Sequence, residues 1–286
     1  MTSVPQLWQC GDRALDLGNP VVMGVLNVTP DSFSDGGRFV HRDAAVAQAR
    51  RMEEEGAAII DIGGESTRPG ALPATAAEEL ARVIPVIETL RRESTVFISV
   101  DTSKPEVMCA AADAGADIIN DVRALQEPGA LEAAAQSRAG VCLMHMKGEP
   151  RTMQEAPNYS DVTGEVREFL AARMRAAHDA GIDRARIAID PGFGFGKRVQ
   201  DNLALLKHLG EFAPLHAPML VGLSRKSLLA RLTGRDVGSR IAGSVALAAI
   251  AVLHGARIVR AHDVAATLDA VRVAMAVHKG EGFDGT

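Results

Sequence analysis

Residues 21–37 have the sequence VVMGVLNVTPDSFSDGG, in which an apolar run from Val21 to Leu26 gives way to polar residues and two glycines. An apolar run of this length, bounded by turn-forming residues, predicts a buried β-strand. The polar segment after it predicts a loop, and loops that a rigid strand positions often carry function. The same order, an apolar strand followed by a polar end, recurs along the chain.

Eight such strands alternate with segments of helical periodicity. The predicted strands cover residues 21–26, 57–62, 96–100, 116–119, 141–144, 186–189, 219–222 and 257–259. The predicted helices cover residues 43–56, with Asp43 as N-cap, 76–92, 105–115, 129–137, 162–180, 202–212 and 240–254, and a last helix ends near residue 278. Strands joined by crossover helices form parallel sheets. Eight units over this length predict an α/β fold, the (β/α)8 TIM barrel, in a single domain; a doubly wound open sheet is the alternative, although six strands are more usual there.

The barrel is expected to cover residues 19–280, preceded by an N-terminal arm or small hairpin at residues 1–18. Trp8, Leu15 and Leu17 are apolar side chains that this arm could bury. Of the 286 residues, 47% are hydrophobic and 23% charged, a composition that suits a large core. The net charge of −5 and the lack of a basic stretch argue against a nucleic-acid partner.

The sequence also bears on the compartment in which the protein works. The first residues contain no apolar signal-peptide core, and the longest apolar run, at residues 245–253, is far shorter than a membrane span. Cys10, Cys109 and Cys142 are scattered, without the spacing of a zinc site or a disulfide framework. We therefore expect a cytoplasmic protein with no membrane contact.

Polar side chains follow every predicted strand. A barrel brings the C-terminal ends of its strands together on one face, and the active site lies there. Two of these residues, Asp61 and Asp121, could either belong to the site or tie loops to backbone N–H groups. The full set is Asn27, Asp61, Asp101, Asn120, Asp121, His145, Asp190, Ser224, Arg225, Lys226, Arg260 and His262.

One subset of these residues suits a flat heterocycle. Asp101, Asn120, Asp190 and Lys226 offer carboxylate acceptors, one amide and one cation. A carboxylate can accept two parallel N–H bonds from the edge of an amino-pyrimidine. The alternative is an Asp–Lys ion pair that only holds two loops together.

A second subset suits an anion. Two arginines and a histidine among small polar donors indicate a phosphate or diphosphate site. Asn27 could share a Mg²⁺ ion with that anion, because Mg²⁺ favours few protein ligands together with phosphate oxygens. The members are Asn27, Thr67, Arg68, Arg260 and His262.

The segment GFGFGK at residues 192–197 matches neither the dinucleotide-binding motif nor the P-loop. Its glycines permit a tight turn beside a ligand. Phe193 or Phe195 could form an apolar wall of the site, and either could instead lie in the core.

Eight ordered motifs resemble the dihydropteroate synthase family over residues 20–275: GVLNVTPDSFSDGG, DIGGESTRPGA, SVDTSKPEVM, IINDV, LMHMKG, DPGFGFGK, GLSRKS and RAHDV. The resemblance implies that 7,8-dihydropterin-6-ylmethyl diphosphate condenses with p-aminobenzoate, by SN1-like C–O cleavage, to 7,8-dihydropteroate and diphosphate in folate synthesis. Sulfonamides are then expected inhibitors. The alternatives are a pterin-dependent methyltransferase module and an inactive pterin-binding paralogue.

The resemblance also implies roles for individual residues. The pterin is held by Asp101, Asn120, Asp190 and Lys226, with Arg260 along its face. The diphosphate is held by Asn27, Thr67, Arg68, Arg260 and His262, with Mg²⁺ on Asn27. The aminobenzoate is framed by Phe33, Arg68, Pro69, Phe195, Ser224 and Lys226. Asp35 interacts with the reacting cation or with Arg68, so that the catalytic set is Asn27, Asp35, Arg68, Lys226, Arg260 and His262.

The quaternary structure implied by the resemblance is a homodimer that forms through the last helices. The predicted helix at residues 241–253 is apolar almost all round. Such a helix is either deeply buried or part of a subunit contact.

Overall fold

A computed structural model describes residues 6–29, 38–65, 73–148, 153 and 157–280. The strands are β1 (Leu7–Cys10), β2 (Arg13–Asp16), β3 (Val21–Asn27), β4 (Ile59–Gly63), β5 (Phe97–Asp101), β6 (Ile118–Asp121), β7 (Gly140–Met144), β8 (Ile187–Asp190), β9 (Leu220–Gly222) and β10 (Ile258–Ala261). The helices are α1 (Arg38–Glu54), α2 (Ala76–Glu93), α3 (Pro105–Asp113), α4 (Ala130–Ser137), α5 (Val162–Asp179), α6 (Val199–Lys207), α7 (Ser227–Thr233), α8 (Ile241–Leu253) and α9 (Val264–Lys279). Short 3-10 helices cover Arg184–Arg186, Leu209–Leu215 and Val237–Ser239.

Strands β3 to β10 form one parallel sheet in the order β8-β7-β6-β5-β4-β3-β10-β9. The two ends of this sheet meet where the Ile189 N–H donates to the Pro218 carbonyl at 2.9 Å, beside a parallel bridge between Ile189 and Met219. The sheet therefore closes on itself. The predicted (β/α)8 barrel is confirmed, and the open-sheet alternative is wrong.

The antiparallel pair β1–β2 lies across the N-terminal end of the barrel. The Trp8 indole is fully buried, and its Nε1 donates to the Arg186 carbonyl at 2.8 Å, at the entrance to β8. Burial of apolar surface drives this docking. The hairpin side chains share one core with the first inward-facing residues of the barrel: Trp8, Cys10, Leu15, Leu17, Met23, Ile59, Ile118, Cys142, Ala188, Leu220 and Ile258. The hairpin thus seals the end of the barrel opposite the C-terminal ends of the strands.

Two local predictions were wrong. Asp43 does not cap α1, which begins at Arg38, and Asp43 instead pairs within the helix with Arg42 at 3.0 Å. The predicted helix at 202–212 is two elements, α6 and the 3-10 helix Leu209–Leu215. Pro214 lies in the second element, where its missing N–H and its ring oppose continuous α-helix.

Helix α8 is only partly buried, so the predicted deep burial holds for part of its surface. One face is buried, with Leu247, Ala248 and Ala251 among its members. Ile241, Ile250 and Leu253 are exposed. Within the described ranges, no helix has both the length and the apolar character that a membrane span requires.

Candidate active site

The C-terminal ends of the barrel strands carry the predicted polar residues. Along each strand, side chains alternate between the inside and the outside of the barrel. Inward-facing polar residues near the C-terminal ends of the strands therefore lie above the apolar layer that contacts the hairpin. Asn27 ends β3, Asp101 ends β5 and Asp190 ends β8. Asn120 and Arg260 lie near the ends of β6 and β10.

Arg260 is the centre of the buried charge network. Its Nε donates to Asp61 Oδ2 at 2.6 Å, and its Nη2 donates to Asp101 Oδ2 at 2.8 Å. Asn120 Nδ2 also donates to Asp61 Oδ2, at 3.2 Å. Among the described residues, Asp61 therefore bonds to two candidate site residues and to no loop N–H group, which favours the first of its two predicted roles.

The second uncertain carboxylate, Asp121, has the other role. It accepts hydrogen bonds from the Ser103 hydroxyl at 2.5 Å and from the N–H groups of Arg123 at 2.8 Å and Leu125 at 2.7 Å. Asp121 thus holds the loop after β6, and its neighbour Asn120 faces the site.

Burial controls the ionisation of these groups. Burial raises the pKa of Asp101 to about 7. The charge of Arg260 lowers this pKa only in part, and the nearby carboxylate of Asp61 raises it further. Burial likewise raises the pKa of Asp190 and lowers the pKa of Lys226 to about 8. Although burial opposes its charge, the pKa of Arg260 is raised by Asp61 and Asp101, so the guanidinium stays charged.

Asp190 ends β8, and Lys226 lies directly before α7. No ion pair joins them in the described part of the chain, so the structure gives no support to a simple Asp–Lys pair that ties loops. Lys226 Nζ instead donates to the Phe193 carbonyl and lies 4.3 Å from the centroid of the Phe195 ring. Asp190 Oδ1 accepts from the Gly192 N–H at 2.7 Å.

The two phenylalanines of the glycine-rich turn have different environments. Phe193 is almost fully buried and belongs to the core between sheet and helices. Phe195 is partly exposed beneath Lys226. Of the two candidates for an apolar wall, the structure therefore selects Phe195.

Ser224 and His262 are paired across the ends of β9 and β10. The His262 N–H donates to Ser224 Oγ at 3.2 Å, and His262 Nδ1 lies 3.1 Å from the same oxygen. The next residue on each segment repeats the connection, because Arg225 Nε donates to Asp263 Oδ2 at 2.9 Å. This double link fixes the orientation of the imidazole.

Gly63 leaves a gap between two oxygen ligands. A Cβ added there would lie 3.9 Å from Asn27 Oδ1 and 3.8 Å from Asp101 Oδ2. The Asn27 side chain makes no hydrogen bond to the residues that the structure describes. A neutral amide oxygen beside such a gap, with no donor among the described residues, fits a small, oxygen-preferring cation such as Mg²⁺.

Five predicted site residues, Phe33, Asp35, Thr67, Arg68 and Pro69, lie outside the described residues. Sequence reasoning assigned no role to Lys197, although its ammonium lies within the turn that follows Asp190. Its place directly after the glycine run was the only signal in the sequence.

Comparisons with known proteins agree with this geometry. Residues 23–262 match the family described as pterin binding enzyme. The dihydropteroate synthase of Escherichia coli K12 is 53% identical over 260 residues, which cover 91% of this chain and 92% of the relative.

Two solved structures are also similar. A Yersinia pestis dihydropteroate synthase with a sulfonamide drug has a TM-score of 0.91 and 48% identity, covering 96% of this chain and 99% of that one. The Xanthomonas albilineans dihydropteroate synthase with 7,8-dihydropteroate has a TM-score of 0.87 and 52% identity, covering 95% and 98%.

Proposed function

The chain belongs to the pterin binding enzyme family, among its dihydropteroate synthases, and from this membership we propose how its own residues carry out the reaction. It is a transferase that condenses 7,8-dihydropterin-6-ylmethyl diphosphate with p-aminobenzoate, giving 7,8-dihydropteroate and diphosphate in folate biosynthesis. The observation that carries the residue assignments below is the buried network of Arg260 with Asp61 and Asp101 at the C-terminal face of the barrel.

The pterin lies against Asp101, Asn120, Asp190 and Lys226, with Arg260 along its face. Two buried carboxylates provide acceptors for the amino-pyrimidine N–H groups, and Lys226 provides a donor for the ring carbonyl or nitrogen. The burial of both carboxylates supports this assignment, because an acceptor in a desolvated site discriminates strongly for a donor-bearing ligand.

The aminobenzoate lies near Ser224, Lys226 and Phe195, together with Phe33, Arg68 and Pro69. The Phe195 ring beneath the Lys226 ammonium offers a flat apolar surface next to a cation. That pairing suits an aromatic ring that carries a carboxylate.

The diphosphate is held by His262, Thr67 and Arg68, with the guanidinium of Arg260 nearby. The link of His262 to Ser224 supports a fixed imidazole at this position. The Arg260 Nε and Nη2 bond to Asp61 and Asp101, so Nη1 is the nitrogen that this assignment gives to the diphosphate.

The reaction begins with cleavage of the C–O bond, and the bonding electrons leave with diphosphate. The electron-rich dihydropterin stabilises the methylene cation, and the cationic side chains stabilise the departing anion. The arylamine nitrogen then bonds to the methylene carbon and loses a proton. Because that amine is neutral at pH 7, no strong general base is required. Asp35 interacts with the cation or with Arg68.

Asn27 is the proposed Mg²⁺ ligand, and the gap beside Gly63 supports this assignment. When bound, Mg²⁺ supplies charge neutralisation of the diphosphate leaving group.

We expect Asn27→Ala to lower kcat/KM for the dihydropterin diphosphate by about a hundredfold and to raise the Mg²⁺ concentration that gives half-maximal activity. The measurement is a titration of diphosphate release with Mg²⁺. Affinity for 7,8-dihydro-6-hydroxymethylpterin, which has no diphosphate, serves as the control and stays unchanged. An unchanged Mg²⁺ requirement contradicts the assignment.

Pterin affinity should depend on pH in a narrow, bell-shaped manner. Protonation of Asp101, whose pKa is about 7, removes an acceptor on the acid side. Deprotonation of Lys226, whose pKa is about 8, removes a donor on the alkaline side. The Kd of 7,8-dihydro-6-hydroxymethylpterin, measured by calorimetry, is therefore lowest between these values and rises about fivefold from pH 7 to pH 6. Asp101→Asn should abolish the acid limb; an unaltered acid limb in that variant contradicts the assignment.

Diphosphate release, measured in the presence of Mg²⁺ and the dihydropterin diphosphate, tests the reaction as a whole. Release that depends on p-aminobenzoate and yields dihydropteroate supports the proposed mechanism. Release without p-aminobenzoate indicates that the C–O bond of the dihydropterin diphosphate is cleaved but that the aminobenzoate site is defective. Pterin binding without any release favours the methyltransferase or the inactive paralogue.

The protein forms a homodimer through its last helices and works in the cytoplasm. The exposed face of α8 supports the dimer, as do Val273 and Val277 on α9, which are 64% and 70% exposed. Adjacent exposed apolar side chains are typical of an interface. The free thiols of Cys10, Cys109 and Cys142 support a reducing compartment.

We expect the double variant Val273→Asp, Val277→Asp to sediment as a monomer under conditions in which the parent protein sediments as a dimer, because it places two charges in an apolar contact. Leu7→Asp is the matched control, since Leu7 is a 58% exposed apolar residue on β1. Sedimentation velocity distinguishes the species. A dimer that survives the double substitution argues for a different interface.

A further inference from the structure

Lys197 is a buried lysine that lacks a carboxylate partner. Its side chain is 2% exposed, and no ion pair to Lys197 occurs within the described part of the chain. Its Nζ instead lies 2.8 Å from the Gly192 carbonyl, 3.1 Å from the Phe195 carbonyl and 2.9 Å from His145 Nδ1. Buried lysines are rare unless they are paired. An ammonium has three donors, and here it meets three close acceptors.

The turn around Lys197 requires the glycines that it contains. Gly192, Gly194 and Gly196 all have positive φ angles. A Cβ on Gly192 would lie 1.8 Å from the His145 carbonyl oxygen, and a Cβ on Gly196 would lie 2.1 Å from the Lys147 carbonyl oxygen. The turn is therefore pressed against the end of β7, and two of its carbonyls point inward to Lys197 Nζ.

The outer side of the same turn contacts two residues of the proposed pterin site, Asp190 and Lys226, and carries Phe195 of the proposed aminobenzoate site. The Gly192 N–H donates to Asp190 Oδ1 at 2.7 Å. The Phe193 carbonyl accepts from Lys226 Nζ, and the Phe195 ring lies under that ammonium. Gly192 thus contacts Lys197 with its carbonyl and Asp190 with its N–H, and Phe195 contacts Lys197 with its carbonyl and Lys226 with its ring.

From this geometry we propose that Lys197 is a positioning residue of the pterin site: its ammonium holds the turn at residues 191–196 in the shape that aims Asp190 and Lys226 at the pterin. The inference rests on the proposed pterin assignment and deepens it. Lys197 does not touch the pterin in this scheme; it acts through the turn.

The neighbouring imidazole is adapted to this role. Burial, together with the charge of Lys197, lowers the pKa of His145 to about 3, so that the ring is neutral and Nδ1 can accept a hydrogen bond. Burial also lowers the pKa of Lys197, while Asp190 and the three acceptors favour the ammonium form. The proton of His145 then resides on Nε2.

The test compares pterin affinity with thermal stability. Lys197→Met keeps the length of the side chain but removes all three donors. The expected result is a Kd for 7,8-dihydro-6-hydroxymethylpterin that rises by about tenfold or more, measured by calorimetry on the full chain.

Tyr159→Phe is the matched control. The Tyr159 hydroxyl donates to the Gly196 carbonyl at 2.8 Å, so it braces the same turn without contacting Lys197. We expect this variant to lower the melting temperature and to leave the pterin Kd unchanged. An equal loss of affinity in Tyr159→Phe and Lys197→Met would mean that any weakening of the turn suffices, and it would overturn the inference.

A second pair of variants covers the case in which Lys197→Met does not fold. His145→Gln keeps an acceptor for Lys197, whereas His145→Leu removes it. Weak pterin binding by the leucine variant that the glutamine variant restores supports the inference. Parental affinity in His145→Leu overturns it. If the parent protein itself does not bind the pterin, the pterin assignment fails, which is a distinct outcome.

Discussion

Replacing Arg260 by methionine is expected to lower kcat/KM for the dihydropterin diphosphate by about a thousandfold. The same substitution should destabilise the fold by about 3 kcal/mol, because it leaves the buried carboxylates of Asp61 and Asp101 without their cation. Methionine preserves much of the side-chain volume, so the loss reflects charge and hydrogen bonding more than a cavity. Steady-state kinetics and chemical denaturation measure the two effects separately.

Two comparisons make this result specific. Arg260→Lys keeps the positive charge, but an ammonium lacks the planar guanidinium geometry that bonds to two carboxylates at once. The activity of Arg260→Lys should therefore fall between those of the parent and Arg260→Met. Arg91→Met is the control for stability, because Arg91 pairs with Asp117 at 2.6 Å near the start of β5, away from the site. Arg91→Met should lose stability and keep its kcat/KM. Activity of Arg260→Met within tenfold of the parent would falsify the central role of the network.

The large-scale fold was predictable from the sequence for a physical reason. Strands buried on both faces are continuous apolar runs, and crossover helices between them force parallel pairing. The eight runs therefore specify a closed barrel, and the polar residues after them specify the face that carries the site.

The roles of individual acidic residues depended on the strand pleat. Asn120 and Asp121 are adjacent in sequence, but opposite faces of β6 direct the first to the site and the second to a loop. A shift of one residue in register would exchange them. Asp61 precedes the end of β4 by two residues, and its partner Arg260 is distant in sequence, so composition alone could not decide its role.

Lys197 illustrates a different limit. Its four-carbon side chain folds back into a turn whose shape depends on three glycines and on contact with the end of β7. The sequence motif shows the glycines, but only the fold reveals what their carbonyls surround.

Replacing Asp190 by asparagine should weaken pterin binding by about a hundredfold. A carboxylate offers an acceptor oxygen to each of two neighbouring N–H groups. An asparagine amide offers only one oxygen, and its NH₂ group would face the other N–H group donor to donor. Asp190 already uses Oδ1 for the Gly192 N–H, so the amide oxygen would remain there and the NH₂ group would face the ligand. Calorimetry with 7,8-dihydro-6-hydroxymethylpterin measures the change directly, without any contribution from the diphosphate.

Asp121→Asn is the matched control for that measurement. Asp121 is also a buried carboxylate at the end of a barrel strand, but it binds Ser103 and the loop after β6. We expect the Asp121 variant to lose stability while its pterin Kd stays unchanged. If Asp190→Asn keeps full pterin affinity and loses only kcat, Asp190 acts on the reacting cation and not on the pterin edge. Because kcat and Kd respond to different contacts, this pair of variants separates recognition of the ring from stabilisation of the charge that develops on it.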